Sequence, residues 1–167
     1  MKHRFLTFAA ISMLMASNAL ATEAPFLTSL AGSWSGAGMM KRTAGSSPIK
    51  LDCSFQSTAK GEALSMNGKC RGLLVVSRAV SAQLIANGNR YAGRYIGPSG
   101  GVSALNGGRS GDAINLSVRW SRIINGDRNA DMVIQRVGAN AIRIRTTDRD
   151  PASGQQVITS EINLRRQ

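Results

Sequence analysis

The sequence predicts an all-β protein: a single up-and-down antiparallel β-barrel of about 8–10 strands, preceded by a short N-terminal helical turn. Three observations support this prediction. Short segments of alternating apolar and polar residues follow one another along the chain. Asn-Gly pairs, which favour hairpin turns, begin at positions 67, 87, 106 and 125. No stretch sustains the periodicity of an amphipathic helix, and sequential strands bury their edges most simply by closing into a barrel.

The N-terminus has the features of a secretory signal peptide. The chain begins MKHR, continues as an apolar run to about Met15, and reaches small residues before Ala21. We expect cleavage after Ala21, which assigns residues 1–21 to the signal peptide and 22–167 to one β-barrel domain, periplasmic or secreted. No other apolar run is long enough to cross a bilayer, so we do not expect a membrane-spanning protein.

The domain begins with a helical segment and a glycine-rich strand. Pro25 suits the first turn of a helix, and we expect one helical turn through Leu30. In the next strand Trp34 shares one face with two glycines and Met40. The glycines would let a neighbouring strand approach closely.

The segment 51–72 is predicted to be a disulfide-bonded hairpin. Gly61-Glu62 suits a type II′ two-residue turn, because glycine readily adopts the positive φ of the first position. This register brings Cys53 opposite Cys70 in a non-hydrogen-bonded pair, where the Cα atoms lie about 4.5 Å apart. That separation is compatible with a disulfide, which an exported protein would retain.

The rest of the chain reads as further strands. A loop at Asn87-Gly88 is expected to pair Leu84 with Tyr91, while Asn106-Gly107 and Asn125-Gly126 are expected to be turns. The predicted strands lie around residues 80–84, 91–95, 102–105, 114–120, 132–137, 141–147 and 158–164.

The strand limits also predict which side chains face inward near the C-terminus. In the last strand we expect Ile158 inside the barrel and Thr159 outside. Asp148 and Asp150 are expected in a loop over 148–155, where Arg149 between them favours a salt bridge.

The residue inventory argues against an enzyme. The only histidine is His3, inside the predicted signal peptide, which removes histidine-based nucleophilic catalysis and the usual zinc sites from the domain. The alternation of Asn and Asp from Asn125 to Asp131 resembles the start of a calcium loop, but Ala130 and Arg136 replace its glycine and glutamate. We therefore predict no catalytic residues, no metal and no cofactor.

The charge is strongly basic, with a formal net charge of +12. A basic exported protein can meet an anionic envelope component. The arginines are scattered through the strands, however, so a solvated surface is the favoured interpretation, and no specific nucleic-acid binding is expected.

Four aromatic residues are the candidates for a ligand pocket: Trp34, Tyr91, Tyr95 and Trp120. All are predicted to face the barrel interior. Packing of a filled core is the alternative role for inward aromatic side chains.

Gly32-Ser33-Trp34 resembles the Gly-x-Trp motif of calycins, where it lies on the first strand of a lipocalin-like barrel after a short helical turn. The resemblance implies that a basic residue near the last strand covers the tryptophan. Arg166, which shares the inward parity of Leu164, is the better match, with Arg165 as the alternative. The Thr-Asp-Tyr motif of lipocalins is absent.

Two further groups are similar. Leu30-Ala31-Gly32-Ser33-Trp34 with the later disulfide resembles small exported inhibitors of bacterial metalloproteases, in which the N-terminal segment enters the protease; here that segment is residues 22–28. The whole chain is also similar to uncharacterised exported proteins of alphaproteobacteria.

These observations lead to one hypothesis and two alternatives. We expect a non-enzymatic periplasmic or secreted β-barrel that binds a small apolar or envelope-derived ligand. A periplasmic protease inhibitor and a basic binder of polyanions or the envelope surface are the alternatives. A lined cavity rather than a filled interior would favour the hypothesis.

Overall fold

The structure is a computed structural model that describes residues 22–72 and 76–167; the predicted signal peptide lies outside these residues. Within them the chain forms one short helix and ten strands, in agreement with the all-β prediction. The elements are α1 (Ala24–Ser29), β1 (Gly32–Met40), β2 (Ile49–Lys60), β3 (Ala63–Gly72), β4 (Val76–Asn87), β5 (Arg90–Ile96), β6 (Val102–Ser110), β7 (Ala113–Ile124), β8 (Asp127–Val137), β9 (Ala141–Arg149) and β10 (Gln156–Arg166).

The strands form a closed antiparallel barrel of up-and-down topology. Each strand pairs with its neighbours in the chain, and β1 pairs with β10 to close the cylinder. In the closing pair Trp34 lies opposite Arg166 and Gly36 opposite Leu164. Gly36 is required by this close pairing, because an added Cβ would lie 2.0 Å from the carbonyl oxygen of Asn163.

The hairpin of β2 and β3 has the predicted register. Lys60 pairs with Ala63, and Cys53 pairs with Cys70 at a Cα–Cα distance of 4.1 Å. The two cysteines form the predicted disulfide. Gly61 has φ +55 while Glu62 keeps a negative φ, as a type II′ turn requires.

The two ends of the barrel differ in their connections. At one end the strands are joined by short turns at residues 61–62, 88–89, 111–112 and 138–140, and α1 lies at this end too. We call it the closed end. At the other end, the open end, the described connections span residues 41–48, 97–101, 125–126 and 150–155. The longer described connections thus lie at the open end, together with the two-residue turn 125–126.

Two turn predictions were wrong. Asn87 pairs with Arg90, so the turn is Gly88-Asn89 and Leu84 lies opposite Gly93 rather than Tyr91. Glycine at the first turn position gives a type II′ turn and moves the register by two residues, which leaves the inward faces unchanged. Asn106-Gly107 lies within β6, where Gly107 allows β7 to approach, rather than in a turn. Asn125-Gly126 does form a turn, with φ +54 and +90.

Two side-chain directions also differ from the prediction. A β-bulge between Ile158 and Ser160 reverses the alternation of β10, so Thr159 is buried inside and Ile158 is partly exposed. Strand β9 extends to Arg149, which places Asp148 on the inward face instead of in a loop salt bridge. Both changes bring polar groups into the barrel interior near the open end.

Candidate functional site

The barrel interior contains a cavity of about 550 Å³ that extends to the open end. This volume lies within the range of about 300–1,000 Å³ that is usual for small-molecule sites. Most of its wall is apolar and comes from inward positions of β2, β3, β4, β8 and β10. Representative wall residues are Phe55, Met66, Val80, Met132, Ile134 and Ile162. The interior is therefore lined rather than filled, which is the arrangement that favours ligand binding.

A polar cluster interrupts the apolar wall near the open end: Asp148, Trp120 and Asn125. Asp148 is only 2% exposed, and one of its carboxylate oxygens accepts a 2.9 Å hydrogen bond from the Arg149 backbone N–H. Burial raises the pKa of Asp148, and the side chains of Asn125 and Trp120 face it closely enough to lower that pKa in part. We call these three residues the polar cluster.

Two N–H donors of the polar cluster have no hydrogen-bond partner. The indole Nε1 of Trp120 and the amide Nδ2 of Asn125 are both buried without an acceptor. Although both face the Asp148 carboxylate, neither meets it with hydrogen-bond geometry. The side-chain amide of Asn125 is held in this orientation, because its oxygen Oδ1 accepts a 2.9 Å hydrogen bond from the Ala44 backbone N–H. A buried donor without a partner is costly, so this cluster is suited to a small polar group from outside the protein.

Two of the four predicted pocket aromatics lie together in this cavity. Tyr95 and Trp120 both line it, with ring centroids 6.1 Å apart in an edge-to-face arrangement. Burial raises the pKa of Tyr95 to about 12, so its hydroxyl is neutral at physiological pH. The pair forms an aromatic wall beside the polar cluster.

The other two predicted aromatics lie at the closed end and do not line this cavity. Trp34 is buried, and its indole N–H donates a 3.1 Å hydrogen bond to the Leu30 carbonyl. The guanidinium carbon of Arg166 lies 4.2 Å from the ring centroid, which confirms the predicted cover. Arg166 also donates hydrogen bonds to the carbonyls of Ala31 and Ser29, at 2.7 and 2.9 Å. These contacts fix α1 across the closed end.

Tyr91 belongs to a second closed-end group, which the sequence alone did not predict. Its hydroxyl donates a 2.6 Å hydrogen bond to Glu23, a carboxylate that is 2% exposed. Arg109 holds both oxygens of Glu23, at 2.5 and 2.9 Å, and stacks on the Phe26 ring with its guanidinium carbon 4.8 Å from the centroid. The hydrogen bond from Arg109 lowers the pKa of Glu23. The start of α1 is thereby attached to the barrel.

Basic side chains surround the mouth of the cavity. Arg42, Arg78 and Arg122 lie along it, and within the described residues none of the three forms a salt bridge. Lys41, also at the mouth, donates to the carbonyl of Ala44 at 3.3 Å. An anionic group outside the cavity would therefore meet positive charge.

Metal and redox sites are not found in the part of the chain that the structure describes. It brings together no group of three or more potential metal ligands from histidine, cysteine, aspartate and glutamate. Both cysteines are used in the disulfide. Residues 22–72 and 76–167 contain no helix long and apolar enough to cross a membrane.

Asp148 is the main site residue that sequence reasoning missed. It follows Ile142, Ile144 and Thr146 at two-residue spacing, which was the available signal that it points inward. The neighbouring Asp150 and Pro151 favoured a loop and concealed that parity.

Comparison with known proteins supports the fold. No family model matches the chain, and no curated protein matches it. Among solved structures, the crystal structure of Rv2717c from M. tuberculosis is similar, with a TM-score of 0.67 and 18% sequence identity. The match covers 88% of this chain and 98% of that chain. At this identity the likeness establishes a small β-barrel fold and nothing finer. The calycin and inhibitor resemblances stay predictions.

Proposed function

We propose that this protein is a non-enzymatic exported β-barrel that binds a small, largely apolar ligand derived from the cell envelope. The observation that carries the proposal is the cavity of about 550 Å³, lined mainly by apolar side chains and open at one end. Burying apolar ligand surface there would contribute about 25 cal/mol per Å². A filled core would have offered no such surface.

The chemistry of the cavity favours binding over catalysis. Among the residues known to line it, Asp148 is the one carboxylic acid, and the domain contains no histidine. General acid–base catalysis usually requires two groups with complementary protonation states. A single buried carboxyl beside unpaired N–H donors is better suited to holding a polar group in place.

Export is the second part of the proposal. The basic and apolar leader ending at Ala21 supports it, and so does the Cys53–Cys70 disulfide, which persists in oxidising compartments. N-terminal sequencing of the protein recovered from a periplasmic extract should begin at Thr22. A protein recovered only from the cytoplasm, with an intact Met1 leader, would contradict export.

The binding proposal can be tested with N-phenyl-1-naphthylamine, a neutral apolar fluorophore. We expect saturable fluorescence enhancement with one site per chain. Ala82→Trp should abolish it, because Ala82 lines the cavity opposite Tyr95 and the indole would fill the space. Ala92→Trp is the matched control, since Ala92 is exposed and does not line the cavity. Equal binding by both variants would contradict the cavity as the site.

The protease-inhibitor alternative gains no specific support. It expected an N-terminal segment free to enter a protease. Instead α1 packs on the barrel, with Leu27 fully buried and Glu23 attached to Arg109. Inhibition therefore stays an untested prediction.

A further inference from the structure

We propose that the ligand carries a neutral hydroxyl group, and that this hydroxyl binds in the polar cluster of Asp148, Trp120 and Asn125 while the apolar part extends toward the closed end. This inference rests on the proposed function and specifies its ligand class. It starts from the two buried donors of the cluster, Trp120 Nε1 and Asn125 Nδ2, which face the Asp148 carboxylate but make no hydrogen bond.

The hydrogen-bonding inventory of the cluster restricts the chemistry of its partner. The indole N–H and the amide N–H each lack a hydrogen-bonded acceptor, whereas the Asp148 carboxylate, which accepts the Arg149 backbone N–H, has lone pairs left to accept a further donor. A hydroxyl supplies one donor and two acceptor lone pairs, so one group can serve all three residues.

Other head groups satisfy the cluster less completely. An ammonium group has no lone pair for the two N–H donors. A carboxylate has no proton for Asp148 and would place two anions together in a buried site. An ether accepts but does not donate, and a hydrocarbon does neither. The cluster therefore discriminates by donor and acceptor pattern rather than by charge.

The position of the cluster sets the orientation of the ligand. Asp148 and Asn125 lie at the open end, beside the connections 125–126 and 150–155. Apolar residues such as Phe55, Met66 and Ile134 line the cavity away from these loops. A long-chain alcohol or a hydroxylated lipid would thus bind with its chain inward and its hydroxyl near the mouth.

Competition with bound N-phenyl-1-naphthylamine tests this ligand class. The competitors are 1-dodecanol, dodecyl methyl ether and dodecylammonium, which share one chain and differ in the head group. The informative quantity is the ratio of the ether Kd to the alcohol Kd, compared between native protein and Asp148→Leu. This comparison cancels the different hydration of the two competitors. We expect the ratio to fall by about tenfold in Asp148→Leu, because leucine cannot accept the hydrogen bond that the alcohol hydroxyl donates to the Asp148 carboxylate.

Thr159→Val is the matched control variant. Thr159 lines the same cavity but lies outside the polar cluster, and its hydroxyl makes only a 3.5 Å contact with the Thr146 carbonyl. The ratio should be unchanged in Thr159→Val. Retained fluorophore binding in both variants shows that they fold.

Four results would overturn the inference. An unchanged ratio in Asp148→Leu would mean that the cluster holds only a water. A preference for dodecylammonium that depends on Asp148 would assign a cationic ligand instead. If the fluorophore binds and all three competitors displace it equally, the hydroxyl inference fails while the binding proposal stands. If the fluorophore does not bind native protein, both fail together.

Discussion

Trp34 and Arg166 form one structural unit at the closed end. The tryptophan is buried and donates its indole N–H to the Leu30 carbonyl, and the arginine covers its ring while it donates to the carbonyls of Ser29 and Ala31. Arg166 therefore has more contacts than a cation–π pair alone. The calycin resemblance implied a basic residue over the tryptophan, and parity selected Arg166 correctly because β10 is regular between Ser160 and Arg166. No sequence pattern predicted the hydrogen bonds from Arg166 to the carbonyls of Ser29 and Ala31.

Trp34→Ala should lower the free energy of unfolding by about 3–5 kcal/mol, the usual cost of truncating a buried aromatic residue. Arg166→Ala should cost about 2–3 kcal/mol, because it removes charged hydrogen bonds as well as the ring contact. Urea unfolding measures both. Arg165→Ala is the control and should change stability by less than about 0.5 kcal/mol, since Arg165 is exposed. If Trp34→Ala unfolds like the native protein, the closed-end account is wrong.

Glu23→Gln should destabilise the protein by about 1.5–3 kcal/mol at neutral pH, because it removes charge from the bonds with Arg109 and Tyr91. The folded-state pKa of Glu23 lies below its ordinary value. Its contribution is therefore present above the ordinary glutamate pKa, about 4.3, and is lost as the pH falls through the lower folded-state value.

The pH dependence gives this prediction its control. The stability difference between native protein and Glu23→Gln should shrink when urea unfolding is repeated at about pH 3. Glu161→Gln, which removes the surface carboxylate paired with Arg145, should cost only about 0–1 kcal/mol. A difference for Glu23→Gln that stays constant with pH would contradict the ion pair as its cause.

The strands and turns show where sequence patterns succeed. A glycine at the first position of a two-residue turn was enough to predict the β2–β3 register and the disulfide. Alternation failed at β10, because the bulge after Ile158 adds a residue without any compositional signal. The register of β7 also shifts, between Arg119 and Ile124, next to Trp120. Both register shifts lie toward the open end, which is why the polar cluster was the least predictable region.

At the element scale, Gly36→Ala should destabilise the barrel by about 1–3 kcal/mol, the usual cost of overpacking. The added methyl group would lie 2.0 Å from the Asn163 carbonyl oxygen and would push β10 away from β1. Gly45→Ala is the matched control, since nothing lies within 4 Å of its added carbon. In thermal unfolding, Gly36→Ala should melt at a clearly lower temperature than Gly45→Ala. Equal melting temperatures would show that β1 and β10 are less closely paired than the structure has them.

Reduction of the Cys53–Cys70 disulfide should lower stability by about 3 kcal/mol on the chain-entropy model. For a chain of this size the melting temperature should then fall by about 6–12 °C. Peptide mapping should first show the two cysteines linked in native protein, and the Cys53→Ala/Cys70→Ala variant should reproduce the reduced melting temperature. Insensitivity of the melting temperature to reductant would contradict a stabilising bridge.

At the scale of the whole molecule, strand number sets how much interior the barrel encloses. About eight strands enclose an interior that side chains can fill or that holds one small ligand, and the diameter grows with each added strand. The sequence predicted about 8–10 strands and so left both outcomes open. With ten strands in the closed barrel, α1 and Trp34 fill one end and leave the other as a cavity. Local patterns cannot reveal this, because the cavity depends on how the strands close the cylinder and on which end α1 and Trp34 fill.

The proposed function requires the barrel interior to be an accessible ligand cavity. Isoleucine methyl NMR tests it most directly, with N-phenyl-1-naphthylamine as a probe whose rings shift nearby resonances. We predict saturable shifts at Ile134, Ile144 and Ile162, which line the cavity, and none at Ile114, buried elsewhere, or at Ile85, exposed outside. Shifts confined to exposed methyl groups such as that of Ile85, or no saturable shift at the three cavity isoleucines, would contradict it.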